Sequence, residues 1–246
     1  MKVILSPAKK MREGRDEFPA QDFPRFLEDA KRICKAVQKL SLPEAKELWK
    51  CNQKLAELNF WRYAQMKLED AAVPALLSYE GLQYQHMAPV VFTREAAAYA
   101  QGHLRILSGL YGVLSPFDRV TPYRLEMQAP LPVGGKKDLY EFWGDRLYHA
   151  VLDEDRTIVN LASKEYSRAV ERYVQPKDRF LTLVFGELSG GKVKQKGTLA
   201  KIARGEMARY MAENQVEDLD KLRGFHVLGY EFSKRHSTEK EWVFLL

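Results

Sequence analysis

The chain has 246 residues, 46% hydrophobic and 29% charged, the make-up of a globular protein with a substantial core. No apolar run approaches the roughly 20 residues that cross a bilayer, and Pro7 ends Val3-Ile4-Leu5 too early for a signal peptide, so a cytoplasmic location without membrane contact is expected. A net charge of +6 and a pI near 9.1 favour polyanionic partners, while the two cysteines supply neither a disulfide framework nor metal-ligand spacing.

Lys2–Leu5 reads as a short buried strand stopped by Ser6-Pro7. Residues 12–24 are polar and punctuated by prolines, which predicts a loop. Helices are expected over about 24–40 and 43–68, joined by Leu40-Ser41-Leu42-Pro43. Ser41 and Glu44 form a capping box, and Pro43 is tolerated in a first turn. This N-terminal helical hairpin lacks the Gly-x-Gly turn that grips phosphate in helix-hairpin-helix DNA elements, so it reads as an ordinary hairpin. Cys34 and Cys51 lie in these helical patterns beside Lys35 and Lys50. An exposed low-pKa thiol there would oxidise readily, whereas cysteine on an amphipathic helix otherwise serves as a small core residue.

A further helix follows Thr93 and stops at Gly102, ahead of a strand Leu104–Leu107. Beyond Gly112 and Pro116, Pro122–Met127 reads as a second strand carrying Arg124 and Glu126, which two-residue spacing puts on one face. Gly134-Gly135 and Lys136-Lys137-Asp138 form a loop. Then come a helix Tyr140–Leu152, a strand Arg156–Leu161, a helix Ser163–Tyr173, a strand Phe180–Phe185 and a helix over 199–213. Strands Phe225–Phe232 and Trp242–Leu246 close the chain. The alternation predicts an α/β fold with a mixed, partly parallel sheet flanked by helices, and one domain over 1–246 with the hairpin as a subregion at about 24–68.

Five motifs stand in a fixed order: Ser6-Pro7-Ala8-Lys9, Tyr79-x-Gly81-x-x-Tyr84, Leu107-Ser108-Gly109-Leu110-Tyr111-Gly112, Pro122-Tyr123-Arg124-Leu125-Glu126-Met127, and Asn160-Leu161-Ala162-Ser163-x-Glu165-Tyr166. Together they resemble the bacterial peroxide-stress family YaaA, from Met1 to the last strand near Phe244. The resemblance implies a cytoplasmic role in hydrogen peroxide defence, with DNA binding as the proposed activity. It implies no reaction and no cofactor.

Three strands run into polar turns, at Ser6, at Ser108 and at Ala162-Ser163. Open α/β sheets bind ligands beyond the carboxyl ends of their strands. If the three are parallel neighbours, Ser6, Lys9, Ser108, Asn160 and Ser163 converge on an anion site, helped by the helix start at Ser163. Alternatively the serines cap turns and the lysines are solvated. Arg124 and Glu126 either face that crevice or form an internal ion pair that locks the sheet. Tyr79, Tyr84, Tyr123 and Tyr166 are candidates for stacking on a base, or ordinary half-buried tyrosines. His86, His103, His149, His226 and His236 never fall at helical ligand spacing, so no metal site is expected. Neither a Gly-x-Ser-x-Gly elbow nor a Walker motif is present.

On a helical wheel of 199–213, Leu199, Ile202, Ala203, Met207, Tyr210 and Met211 gather on one side, with Lys201, Arg204 and Arg209 opposite. With Lys192, Lys194 and Lys196 upstream, this basic stripe is the candidate DNA interface, if it is not simply a solvated face. Glu206 falls inside the apolar arc, which predicts a buried partner for it. Two functions follow: a DNA-binding protein that meets phosphate without strong base preference, or an enzyme acting on a nucleotide-like or other anionic small molecule in the strand-end crevice.

Overall fold

Val3, Ile4 and Leu5 are fully buried, an unbroken apolar run of the kind that suits a strand covered on both faces of a parallel sheet. The computed structural model describes residues 1–13 and 18–246, so the middle of the expected loop lies outside the described residues; the rest of 12–24 carries neither helix nor strand.

In chain order the strands are β1 (Lys2–Leu5), β2 (Lys10–Met11), β3 (Val73–Pro74), β4 (Tyr79–Glu80), β5 (Leu104–Ser108), β6 (Gly112–Leu114) and β7 (Arg119–Val120). They continue as β8 (Thr157–Leu161), β9 (Arg179–Ser189), β10 (Lys192–Lys194), β11 (Glu231–Phe232) and β12 (Glu241–Leu245). The main sheet runs β11-β12-β9-β8-β1-β5-β6, with β10 folded back on β9. Its interior pairs are all parallel, and only the edge strands β6 and β11 and the β10 ribbon are antiparallel. The expected α/β fold with a mixed, partly parallel sheet therefore holds, and the sheet is mostly parallel. Leu5 lies opposite both Ile106 and Leu161, so β1 leaves the sheet flanked by the exits of β5 and β8. Short antiparallel pairs join β2 to β4 and β3 to β7.

The helices are α1 (Leu27–Gln38), α2 (Leu42–Trp49), α3 (Gln53–Gln65), α4 (Ala75–Ser78) and α5 (Leu82–Met87). After them come α6 (Arg94–His103), α7 (Leu139–Trp143), α8 (Arg146–Val151), α9 (Lys164–Glu171) and α10 (Gly197–Glu213). Where α10 crosses α5 the backbones nearly touch: a Cβ on Gly205 would stand 2.2 Å from the Gln83 carbonyl oxygen. Glu206, expected to find a buried partner, meets His86 Nδ1 at 2.8 Å across the same crossing. One hydrophobic core runs from Met1 through the sheet to Phe244.

The N-terminal hairpin is corrected to three helices. The capping box at Ser41 and Glu44 starts α2 as expected. The second expected helix then breaks at Lys50, which adopts the left-handed conformation (φ 45°), and Asn52 caps a new helix by accepting from the Leu55 N–H at 3.0 Å. Gly144 (φ 55°) likewise divides Tyr140–Leu152 into α7 and α8. Pro122–Met127 has no strand partner; the ladder on this segment is the short β7 just before it. Phe225–Phe232 is mostly 3-10 turns, with Leu228 at φ 59°, and only its last two residues pair as a strand.

Candidate functional site

At the exit of β1 the Ser6 hydroxyl accepts from the Ser163 backbone N–H at 2.8 Å and donates to the Ser163 hydroxyl at 3.2 Å. Ser163 thus starts α9 in cap geometry while its side chain faces Ser6 rather than the helix. Tyr84 donates to the Ser6 carbonyl at 2.9 Å, which ties the Tyr79–Tyr84 motif to the same turn.

Three residues beyond Ser6, at Lys9, charge collects around one carboxylate. Lys9 Nζ lies 2.9 Å and Arg124 Nη2 3.1 Å from the same oxygen, Glu126 Oε1. The Arg124 and Glu126 side chains are only 11% and 10% exposed, whereas Lys9 is 66% exposed. Arg124 Nη2 also donates to the Trp49 carbonyl at 3.3 Å, and its Nε is buried with no acceptor among the described residues. Arg124 and Glu126 do share one side, as the spacing suggested, without a strand to put them there.

The loop that carries this pair rests on the glycine-rich motif. A Cβ on Gly109 would come within 2.6 Å of the Leu125 carbonyl oxygen, so only glycine lets the two segments nest. Gly112 takes a positive φ of 74° beneath the Trp143 ring, and the Trp143 indole donates to the Gly109 carbonyl at 3.1 Å.

Glu165, which sequence reasoning did not single out, completes the group. Burial raises its pKa most; the Gln128 N–H, donating at 3.3 Å, opposes this, and the neighbouring Glu126 charge adds to it. The only prior signal was its place in the Asn160–Tyr166 motif. Ser6 and Ser163 are thus joined by hydrogen bonds, and Lys9, Arg124, Glu126 and Glu165 by contact or by field.

Ser108 and Asn160 stand apart from this group as supports. Ser108 is fully buried, accepts from the Tyr111 N–H and meets the Tyr123 hydroxyl at 2.6 Å, which in turn meets Tyr79 at 2.9 Å. The Asn160 amide donates to Thr182, and its oxygen accepts from the Ala162 N–H. Tyr79, Tyr84, Tyr123 and Tyr166 are all buried, and burial raises their pKa values, Tyr123 to about 12. They remain neutral phenols inside the protein, which corrects the idea that they stack on a base. Tyr79 and Tyr84 also back a cavity of about 340 Å³ rimmed by Arg12 and Glu80.

The basic stripe is narrower than the wheel suggested. Lys192, Lys194 and Lys201 are exposed and carry no ion pair among the described residues. Lys196 is paired with Glu187 at 2.8 Å and Arg209 with Glu213 at 2.8 Å. Arg204 is half-buried, with its Nε enclosed and without an acceptor among the described residues, and desolvation lowers its pKa. It belongs to the inner side because the buried face of α10 is made by Ala200, Ala203, Gly205, Met207, Ala208, Met211 and Ala212. Small residues let α10 sink towards α5, and Leu199, Ile202 and Tyr210 stay half-buried.

Among the described residues, no group of three or more His, Cys, Asp and Glu side chains is arranged to hold a metal ion, and no helix is long and apolar enough to cross a membrane. The two cysteines are free; Cys34 is buried and Cys51 half-buried.

These features define an α/β protein with a mostly parallel central sheet, with polar and charged side chains gathered beyond the end of β1. The family described as peroxide stress protein YaaA matches residues 1–236, and the chain belongs to that family. A UPF0246 protein of Agathobacter rectalis is 49% identical over 244 residues, covering 99% of this chain and 98% of the relative. A UPF0246 protein of Lactiplantibacillus plantarum is 46% identical over 245 residues, covering 100% of this chain and 99% of the relative.

Proposed function

We propose that this peroxide-stress protein acts in the cytoplasm by binding DNA through phosphate contacts, without strong base preference. The observation that carries the reading is a set of three exposed lysines that form no ion pair among the described residues. Lys192 and Lys194, two residues apart on the exposed β10 ribbon, share one side of it, and Lys201 follows in the second turn of α10. Each cation that meets a phosphate releases counterions, so log affinity falls with log salt by about 0.9 per contact. Changing Lys192, Lys194 and Lys201 to Gln should flatten that slope by about 2–3 units. Fluorescence anisotropy with a labelled duplex over a salt series measures it. A wild-type affinity that ignores salt rejects the reading.

A second reading, an enzyme for a nucleotide-like or other anionic small molecule, is favoured by a different observation. Two cations share one carboxylate oxygen in the crevice, and Arg124 Nε has no acceptor among the described residues, so the site carries a spare donor beside its cations. Adenosine monophosphate is a suitable probe. Chemical-shift changes on Ser6 and Ser163 that vanish in Arg124→Gln support this reading, and shifts indifferent to that substitution reject it.

A further inference from the structure

On the outer side of α9, Arg168 and Arg172 stand one turn apart, both exposed, and both guanidinium groups lie against a single aromatic ring. Their Cζ atoms are 5.4 Å and 5.2 Å from the centroid of Tyr140. Like charges four residues apart on a helix repel, and the ring face offsets part of that repulsion. The ring is itself fixed, because the Tyr140 hydroxyl donates to the Glu165 carbonyl at 2.8 Å.

The neighbouring carboxylates are engaged elsewhere. Glu171 binds Lys164 at 2.7 Å and Glu141 binds Lys137 at 2.6 Å. Asp138 caps α7 by accepting from the Glu141 N–H, and Glu165 accepts from the Gln128 N–H. Among the described residues Arg168 and Arg172 form no ion pair.

We propose that the Tyr140 face of α9 is a phosphate clamp: Arg168 and Arg172, aligned by the ring, take one phosphate group of a polyanion. A stacked guanidinium keeps its N–H fork free and pointed outward, which suits bidentate contact with phosphate oxygens better than a mobile ammonium does. The clamp adjoins the strand-end crevice through Glu165, whose carbonyl anchors Tyr140 and whose carboxyl lies in the field of Glu126. It lies outside the 192–209 stripe and deepens the DNA-binding reading, on which its choice of a polyanion rests. The phosphate can come from a nucleic-acid backbone or from a free phosphorylated ligand.

The test uses two probes, a short DNA duplex and tripolyphosphate, on the wild type, Arg168→Gln/Arg172→Gln, and the Lys192, Lys194 and Lys201 triple Gln variant. Thermal melts first establish that each variant folds, as exposed positions predict. For the clamp variant, tripolyphosphate affinity by calorimetry should fall at least about tenfold, and the salt slope for duplex should drop by about 2. Arg168→Lys/Arg172→Lys should recover only part of the affinity, since charge returns without the stacked fork. Tripolyphosphate binding that is absent in the wild type, or unchanged in Arg168→Gln/Arg172→Gln, overturns the clamp. Loss of tripolyphosphate binding beside a wild type that never binds duplex keeps the clamp, assigns it to a free phosphorylated ligand and rejects the DNA reading. Duplex binding that depends only on the triple variant does the reverse.

Discussion

Removing the Arg124 guanidinium asks whether Glu126 is held by one cation or by two. Cutting one partner from a buried ion pair ordinarily costs about 3–5 kcal/mol, because a carboxylate is left alone in a poorly solvated place. Here the Lys9 ammonium remains 2.9 Å from the same oxygen, so Arg124→Ala leaves Glu126 compensated. The substitution also removes a buried Nε that has no acceptor, a group whose burial itself costs about 1–3 kcal/mol. The expected loss is therefore about 1–2 kcal/mol, below the ordinary figure for a buried pair. Lys9→Ala alone should cost less than about 1 kcal/mol, since Lys9 is 66% exposed and its attraction is screened. Together the two substitutions strand the carboxylate, and the double variant should lose about 3–5 kcal/mol. Urea denaturation of the four proteins gives the double-mutant cycle, with an expected coupling of about 1–2 kcal/mol. If Arg124→Ala alone costs the full amount and Lys9→Ala adds nothing to it, Lys9 does not share the carboxylate and the reasoning fails.

Asp118 should make stability depend on pH. Burial pushes its carboxyl up to about 7, against the opposing effects of the Ser115 N–H and Arg105. The folded value lies above the ordinary carboxylate range, so the protonated form favours folding. That contribution is complete below about pH 4 and is lost as pH rises through about 7. Asp118→Asn, which keeps an oxygen for Ser115, should flatten the stability profile between about pH 4 and about pH 7; parallel profiles for the two proteins would reject the assignment. Cys34 should be unreactive. Burial, with the Glu69 charge adding, pushes its thiol up to about 11, so alkylation of the native protein at neutral pH should label Cys51 first. Peptide mass spectrometry that finds Cys34 modified as fast as Cys51 would restore a redox-sensing thiol.

The central strands were legible because β1, β5 and β8 are mostly apolar and each runs into a polar turn. That same pattern put Ser6 and Ser163 together. The failures share one physical origin, the dependence of a local feature on what packs against it. Lys50 breaks a helical pattern with a left-handed conformation that its side chain does not announce. The wheel of α10 weighted Leu199 and Ile202 as core, but the buried face is the one with alanines and Gly205, since depth at the α5 crossing is set by how closely the backbones approach. Arg168 and Arg172 drew no notice in the sequence, and only the position of Tyr140, a residue from another helix, gives them a common orientation. Arg124 and Glu126 show the limit most clearly. Their shared side was inferred from the alternation of a strand, yet the segment has no ladder. What fixes it is the absence of a side chain at Gly109, over which the Leu125 carbonyl lies too close for any Cβ. The glycine-rich motif and the charged motif are thus one packed unit. A substitution at Gly109 should disturb the Lys9–Glu126–Arg124 group without touching any charged residue, a coupling that follows from tertiary contact and that no periodicity along the chain can report.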